Sequence, residues 1–184
     1  PSGDLHGAKL IKEIKSLAPF SSFMGHGGSL MENEGMKIIE HCNNLSVMGF
    51  KEVLVHLPRM WRIMANTVEL VKKANPDRII LIDYPGFNLR LAKKISSLRI
   101  PTSYFILPQA WAWKSKRAQI IKKYFDQSFS IFPFEQKWYK SKGVNTKYFG
   151  HPFMEIDHLD ENRMQFFKRH NLNPKEKLIA LLPG

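Results

Sequence analysis

The residues best suited to chemistry stand just past apolar runs. Asp83 directly follows Ile79-Ile80-Leu81-Ile82 and precedes Tyr84-Pro85-Gly86. An acid in that place can be a general base, a helix cap, or a turn residue bonded to its own backbone. Pro85 steers Tyr84 toward an extended backbone, and Gly86 admits conformations closed to other residues. The pair therefore predicts a rigid corner. Surrounded by Ile, Leu, Tyr and Phe, the Asp83 carboxyl is expected to be poorly solvated, an environment that suits a base.

Four other short stretches carry similar options. Ser2-Gly3-Asp4 opens an amphipathic segment. Free N–H groups at a helix start can bind a phosphate or a sugar hydroxyl, or Ser2 or Asp4 can simply cap them. Gly25-His26-Gly27-Gly28 lacks the spacing of a dinucleotide or Walker loop and predicts a strand-to-helix turn, with His26 lining a cleft. Gln109-Ala110-Trp111-Ala112-Trp113 lies beside Lys114, Lys116 and Arg117. Aromatics next to bases suit stacking on a sugar or anchoring at a bilayer interface. One of the two tryptophans is expected in the core and one at a site. His151, between Gly150 and Pro152, is a proton shuttle, a phosphate ligand or a structural histidine.

The elements that must position these groups alternate. Apolar runs within 21–28, 35–42, 77–87 (strand, then turn), 101–108, 127–134 and 145–152 predict strands, and amphipathic segments between them predict helices. Asn88 is the expected cap of the helix after Asp83. Strands that alternate with helices form parallel βαβ units, and near-continuous apolar strands indicate that both sheet faces are covered. The fold class is thus α/β, a Rossmann-like parallel sheet with helices on both faces. In such sheets ligands bind at the carboxyl ends of the strands, where Ser2–Asp4, Gly25–Gly28, Asp83, Gln109–Trp111 and His151 all fall. Residues 1–150 are read as one domain lacking its first strand. Residues 151–184 are read as a connecting helix and the opening strand of a second, truncated domain.

The segment 48–64 differs from the other helices. Phe50, Val53, Leu54, Leu57, Met60, Trp61 and Met64 make a broad apolar stripe, flanked by Lys51, Arg59 and Arg62. Core packing explains part of it. Its width, and the Met and Trp beside Arg, suit contact with a bilayer or with acyl chains.

Composition narrows the partners. The 184 residues include 28 Lys+Arg against 16 Asp+Glu, a net charge of +12. That excess favours anionic lipid surfaces, phosphorylated substrates or nucleic acid. No zinc-finger spacing, RNP-type motif or helix-turn-helix signature accompanies it. Cys42 is the only cysteine, which rules out an internal disulfide and fits a reducing compartment. No apolar run reaches the roughly 20 residues of a membrane-spanning helix.

Together, "SGDLHGAKLIKEIK", "LSVMGFKEVL", "ILIDYPGFN", "PQAWAWKSKR", "FPFE", "FGHPF" and "LLPG" resemble the lipid-A-disaccharide synthase family in order and spacing. Members are inverting glycosyltransferases of the GT-B architecture. The resemblance implies two Rossmann-like domains facing a cleft and no cofactor or metal. It implies transfer from UDP-2,3-diacylglucosamine to 2,3-diacylglucosamine 1-phosphate, at the cytoplasmic face of the inner membrane. Asp83 would be the base, with Ser2, Gly3, Asp4, Gln109, Trp111 and His151 binding substrate. Phe50, Val53, Leu54, Leu57, Met60 and Trp61 would meet acyl chains and anionic lipids. Gln109 replaces the family's usual Ser, and Gly86 stands where many members carry a second acid. The resemblance implies no nucleic-acid partner and leaves room for a homo-oligomer. Without the nucleotide domain, this chain alone is expected to be inactive. Competing readings are a non-catalytic lipid-binding half-domain, another UDP-sugar enzyme of the same architecture, and a nucleic-acid binder.

Overall fold

The structure, a computed structural model, describes residues 2–44, 50–155, 162–173 and 175–181. It forms two compact units, Pro1–Pro152 and Phe153–Gly184.

The first unit follows the expected alternation. Helix α1 (Ser2–Leu17) leads to β1 (Phe23–Gly27), α2 (Ser29–Asn33) and β2 (Met36–His41). Then come α3 (Phe50–Ala74), β3 (Ile79–Ile82), α4 (Pro85–Ile95) and β4 (Thr102–Phe105). Helix α5 (Arg117–Tyr124), β5 (Gln127–Ser130), α6 (Pro133–Ser141) and β6 (Thr146–Tyr148) complete it. Every recorded strand pair is parallel. The strands fall into two sheets, β1-β2 and β3-β4-β5-β6, where a single layer was expected. Side chains link them: Ile82 at the end of β3 packs on the cluster of Ala8, Ile11, Met31 and Met36.

The main core lies around β3 and β4. Tyr104, Ile121 and Tyr139 are completely buried there, with Leu91, Ala92 and Ile95 of α4 packed alongside. These three recur at the spacing of one helix face, which is why α4 lies flat on the sheet. Helix α3 runs through Pro58 without a break. Its described second half buries Ile63, Met64 and Thr67 and rests Met60, Val68 and Val71 on the same core.

A carboxylate holds the short α2 in place. Five residues are too few for a helix to persist by propensity alone, and Gly28, its N-cap, supplies no side-chain cap. Asp4 of α1 does so instead, accepting backbone N–H bonds from Gly28 (2.8 Å), Leu30 (3.1 Å) and Met31 (3.1 Å). Glycine is required at 28 by proximity, since a Cβ there would lie 2.5 Å from Asp4 Oδ2.

In the second unit α7 (Arg163–Arg169) begins with a reciprocal capping box between Asn162 and Gln165. Residues 177–181, part of the stretch 175–184 expected as a strand, pair with no described strand. Ile179 and Leu181 stand largely exposed. An apolar run becomes a strand only when a neighbour takes its backbone hydrogen bonds.

Candidate active site

Three loops at the carboxyl ends of β3, β4 and β5 enclose a cleft of ≈ 290 Å³. Asp83 enters from the first, Gln109, Trp113 and Arg117 from the second, and Phe132 and Glu135 from the third.

The Asp83 corner is rigid for a different reason from the one expected. Asp83 (φ 45°) and Tyr84 (φ 41°, ψ 60°) are both left-handed, whereas Gly86 lies inside α4. Tyr84 was expected to be extended, and Asn88 to cap the helix. Instead the helix begins at Pro85 with Tyr84 as its N-cap. Tertiary hydrogen bonds override the local preference. The Asp83 N–H donates to Phe105 O (2.9 Å). Its carbonyl accepts from Tyr104 Oη (2.8 Å) and Asn88 Nδ2 (2.7 Å). Asn88 Nδ2 also reaches Ile82 O at 3.0 Å. Burial pushes the Tyr104 phenol far above its usual range, with Asp83 and Tyr139 adding to it, so the hydroxyl stays a neutral donor. On the facing loop Ile106 is left-handed too (φ 64°), a conformation that a β-branched side chain strongly disfavours. Such residues cost about 1–3 kcal/mol each and collect at functional sites.

The Asp83 backbone is therefore fixed while its side chain stands exposed to solvent. This corrects the expectation of a poorly solvated carboxyl. The apolar neighbours are present, but Ile79 and Leu81 point into the sheet core and leave the corner open.

The loop after β4 turns outward. Leu107 and Ala110 take the core positions and leave both tryptophans outside, Trp111 at 41% and Trp113 at 55% exposure. The expected core tryptophan is thus absent. Trp113 lines the cleft, with Lys114 Nζ 4.4 Å and the Arg117 guanidinium 4.9 Å from its ring. Trp111 donates its indole N–H to Glu135 Oε1 at 3.0 Å.

Glu135 was not among the expected site residues. It lies in the first turn of α6 and is fully buried. Its Oε2 has no hydrogen-bond partner among the described residues. Burial pushes its carboxyl above the usual range, while the Trp111 indole and the nearby backbone of Phe132 and Ile131 pull the other way. A sequence signal existed: an acid three residues past Phe132, just after a strand and within an aromatic cluster.

The remaining expected residues are dispersed. His151 is half-buried, its ring 5.3 Å from that of Phe132 at the cleft. Ser2 and Gly3 occupy the first turn of α1, and Asp4 is engaged by α2; none of the three lines the cleft. His26 sits beside the corner, with its ring 5.7 Å from Phe87. Its Nε2 is 3.0 Å from Thr67 Oγ1, which itself donates to Ile63 O at 2.7 Å. On α3, Leu57 and Met60 are half-buried and Trp61 is 61% exposed. Arg59 of the same helix pairs with Glu40 at 3.9 Å. The side chains of Phe50, Val53 and Leu54 lie outside the described residues.

The lipid-A-disaccharide synthetase family model matches residues 1–184. This chain belongs to that family. It is similar to the lipid-A-disaccharide synthases of Myxococcus xanthus (37% identity over 183 residues) and Coxiella burnetii strain Dugway (37% over 184 residues). That of Acidobacterium capsulatum is likewise 37% identical over 183 residues. Each comparison covers 100% of this chain but 48%, 49% and 46% of the relative. The chain therefore spans about half the length of the curated relatives it matches. Its parallel α/β architecture fits half of a two-domain glycosyltransferase. No described helix is long and apolar enough to cross a membrane.

Proposed function

We propose that the whole protein carrying this chain is a hexosyltransferase of lipid A biosynthesis. It joins UDP-2,3-diacylglucosamine to 2,3-diacylglucosamine 1-phosphate, forming the β-1,6-linked disaccharide 1-phosphate and releasing UDP. The family match along all 184 residues carries this reading, and the site chemistry is consistent with it. An inverting transfer needs one base and a stabilised leaving group. The Asp83 carboxylate takes the proton of the acceptor hydroxyl as its oxygen attacks the anomeric carbon. The sugar–phosphate bond breaks on the opposite face, and UDP leaves with the electron pair. Residues 1–150 hold the acceptor, and the nucleotide is held by the rest of the protein. Trp113 and Arg117 of the cleft, with Lys114 over the Trp113 ring, suit a phosphorylated sugar.

The protein works as a peripheral enzyme on the cytoplasmic face of the inner membrane. Net charge +12 favours anionic lipids at about 1 kcal/mol per basic residue near the surface. The exposed Trp61 lies next in sequence to Arg62 on α3, a combination that suits the interface.

The test is steady-state turnover of the whole protein with Asp83→Asn, using acylated and deacylated acceptors. A loss of turnover with retained folding, together with preference for the acylated acceptor, is the expected result. Near-normal turnover would remove Asp83 as the base, and indifference to the acyl chains would remove the lipid substrate.

A further inference from the structure

Every carboxylate oxygen buried in a protein needs a donor, because burial removes the water that would otherwise supply one. In Asp4 three backbone N–H groups meet that need. In Glu135 it is half met. Oε1 receives the Trp111 indole, and Oε2, in a fully buried side chain, receives nothing from the described residues. Glu135 also lines the cleft that contains Asp83. We propose that Glu135 is a substrate contact, its Oε2 accepting a hydrogen bond from a hydroxyl or amide N–H of the sugar that Asp83 deprotonates.

Three observations converge on this role. A side chain kept only to anchor Trp111 needs one acceptor oxygen, and a glutamine supplies that without burying a charge. Burial pushes the Glu135 carboxyl above its usual range, against the pull of the Trp111 indole and of the Phe132 and Ile131 backbone, so a further donor would favour the anion. An incoming O–H or N–H supplies what is missing. Glu135 is also held firmly, on the first turn of α6 and tied to the loop after β4, so its Oε2 is positioned before the ligand arrives. Sugars carry hydroxyl and amide donors in number, and Arg117, which lines the same cleft, provides a place for an anionic group of the same ligand.

The inference rests on the acceptor reading given above. Its test is Glu135→Gln in the whole protein, with kcat and KM determined separately for UDP-2,3-diacylglucosamine and for 2,3-diacylglucosamine 1-phosphate in detergent micelles. Glutamine keeps an oxygen for the Trp111 indole but turns an NH₂ toward the donor on the sugar. The acceptor KM is expected to rise at least tenfold, with the donor KM within threefold of wild type, kcat at saturation within threefold, and the thermal midpoint retained. An acceptor KM within twofold of wild type overturns the contact. So does a lowered thermal midpoint with both KM values raised alike, because that marks a structural role. Glu135→Met, which removes both hydrogen bonds at nearly the same volume, repeats the measurement and should raise the acceptor KM at least as much. A wild-type protein that does not use this acceptor overturns the acceptor reading itself. A wild type that uses it, with Glu135→Gln indistinguishable, overturns the Glu135 contact alone.

Discussion

Two ends of the first unit treat acids in opposite ways. At the α1–α2 end, Asp4 is buried and its oxygens receive three backbone N–H bonds. At the carboxyl edge of β3–β5, Asp83 has its backbone bonded and its side chain exposed, and Glu135 is buried with one oxygen unmatched among the described residues. A carboxylate whose hydrogen-bonding capacity is filled by its own protein stabilises the fold. One whose capacity is left over is available to a ligand. By that measure Asp4 is an anchor and the other edge is the proposed site.

Replacing each acid sharpens the contrast most. Asp83→Asn should lower turnover of the whole protein about 10²–10⁴-fold, the usual worth of a general base, with the thermal midpoint shifted by a few degrees at most. Turnover within tenfold of wild type would break the comparison. Asp4→Ala should do the reverse, removing about 3 kcal/mol of stability through three orphaned N–H groups and leaving intact the groups that line the cleft. The denaturant midpoint reads it. Burial acts to raise the Asp4 carboxyl, but the bonds from Met31, Gly28 and Leu30 outweigh it and hold the group below its usual range. A depressed folded value means that Asp4 contributes fully above the ordinary range and loses its contribution as pH falls through the folded value. Wild type should therefore lose stability below about pH 4 more steeply than Asp4→Asn.

A smaller effect tests the corner itself. Asn88→Ala removes the donor to Ile82 O and Asp83 O and should cost about 2 kcal/mol. Turnover should fall further than that of an equally destabilised variant remote from the cleft, because the carboxyl of Asp83 would lose its fixed aim. The smallest change has the opposite sign. Gly86 lies inside α4, and a Cβ there meets nothing within 4 Å. Gly86→Ala should raise stability by about 0.5–1 kcal/mol, measured by thermal unfolding.

The alternation of elements was legible because each strand and helix announces itself by local period. The placement of Asp83 at a strand's carboxyl end followed from topology alone. What escaped depends on contacts distant in sequence. The left-handed turn at Asp83 and Tyr84 is held by Tyr104, 21 residues on from Asp83, and no local rule around Pro85 foresees it. Glu135 reads as an ordinary first-turn acid until Trp111, 24 residues earlier, is seen to cover it. Part of the α3 stripe proved to be core, as Met60 and Met64 show, while Trp61 remained outside. Periodicity gives the width of an apolar face and not the extent of the surface that will cover it.

Thr67 carries one hydroxyl hydrogen, and the Ile63 carbonyl takes it. The contact between Thr67 and His26 must then be made by a hydrogen on the imidazole's Nε2. In that arrangement the neutral ring is the Nε2–H tautomer, with Nδ1 as the basic nitrogen. Burial pushes the ring's pKa down, against the pull of Glu40, so folding favours the uncharged form. That preference is in full force above about pH 6.5 and weakens as acid approaches the lower folded value. The proton that then arrives lands on Nδ1 and leaves the bond to Thr67 untouched. Protonation thus changes the charge at the end of β1 without releasing the ring from α3.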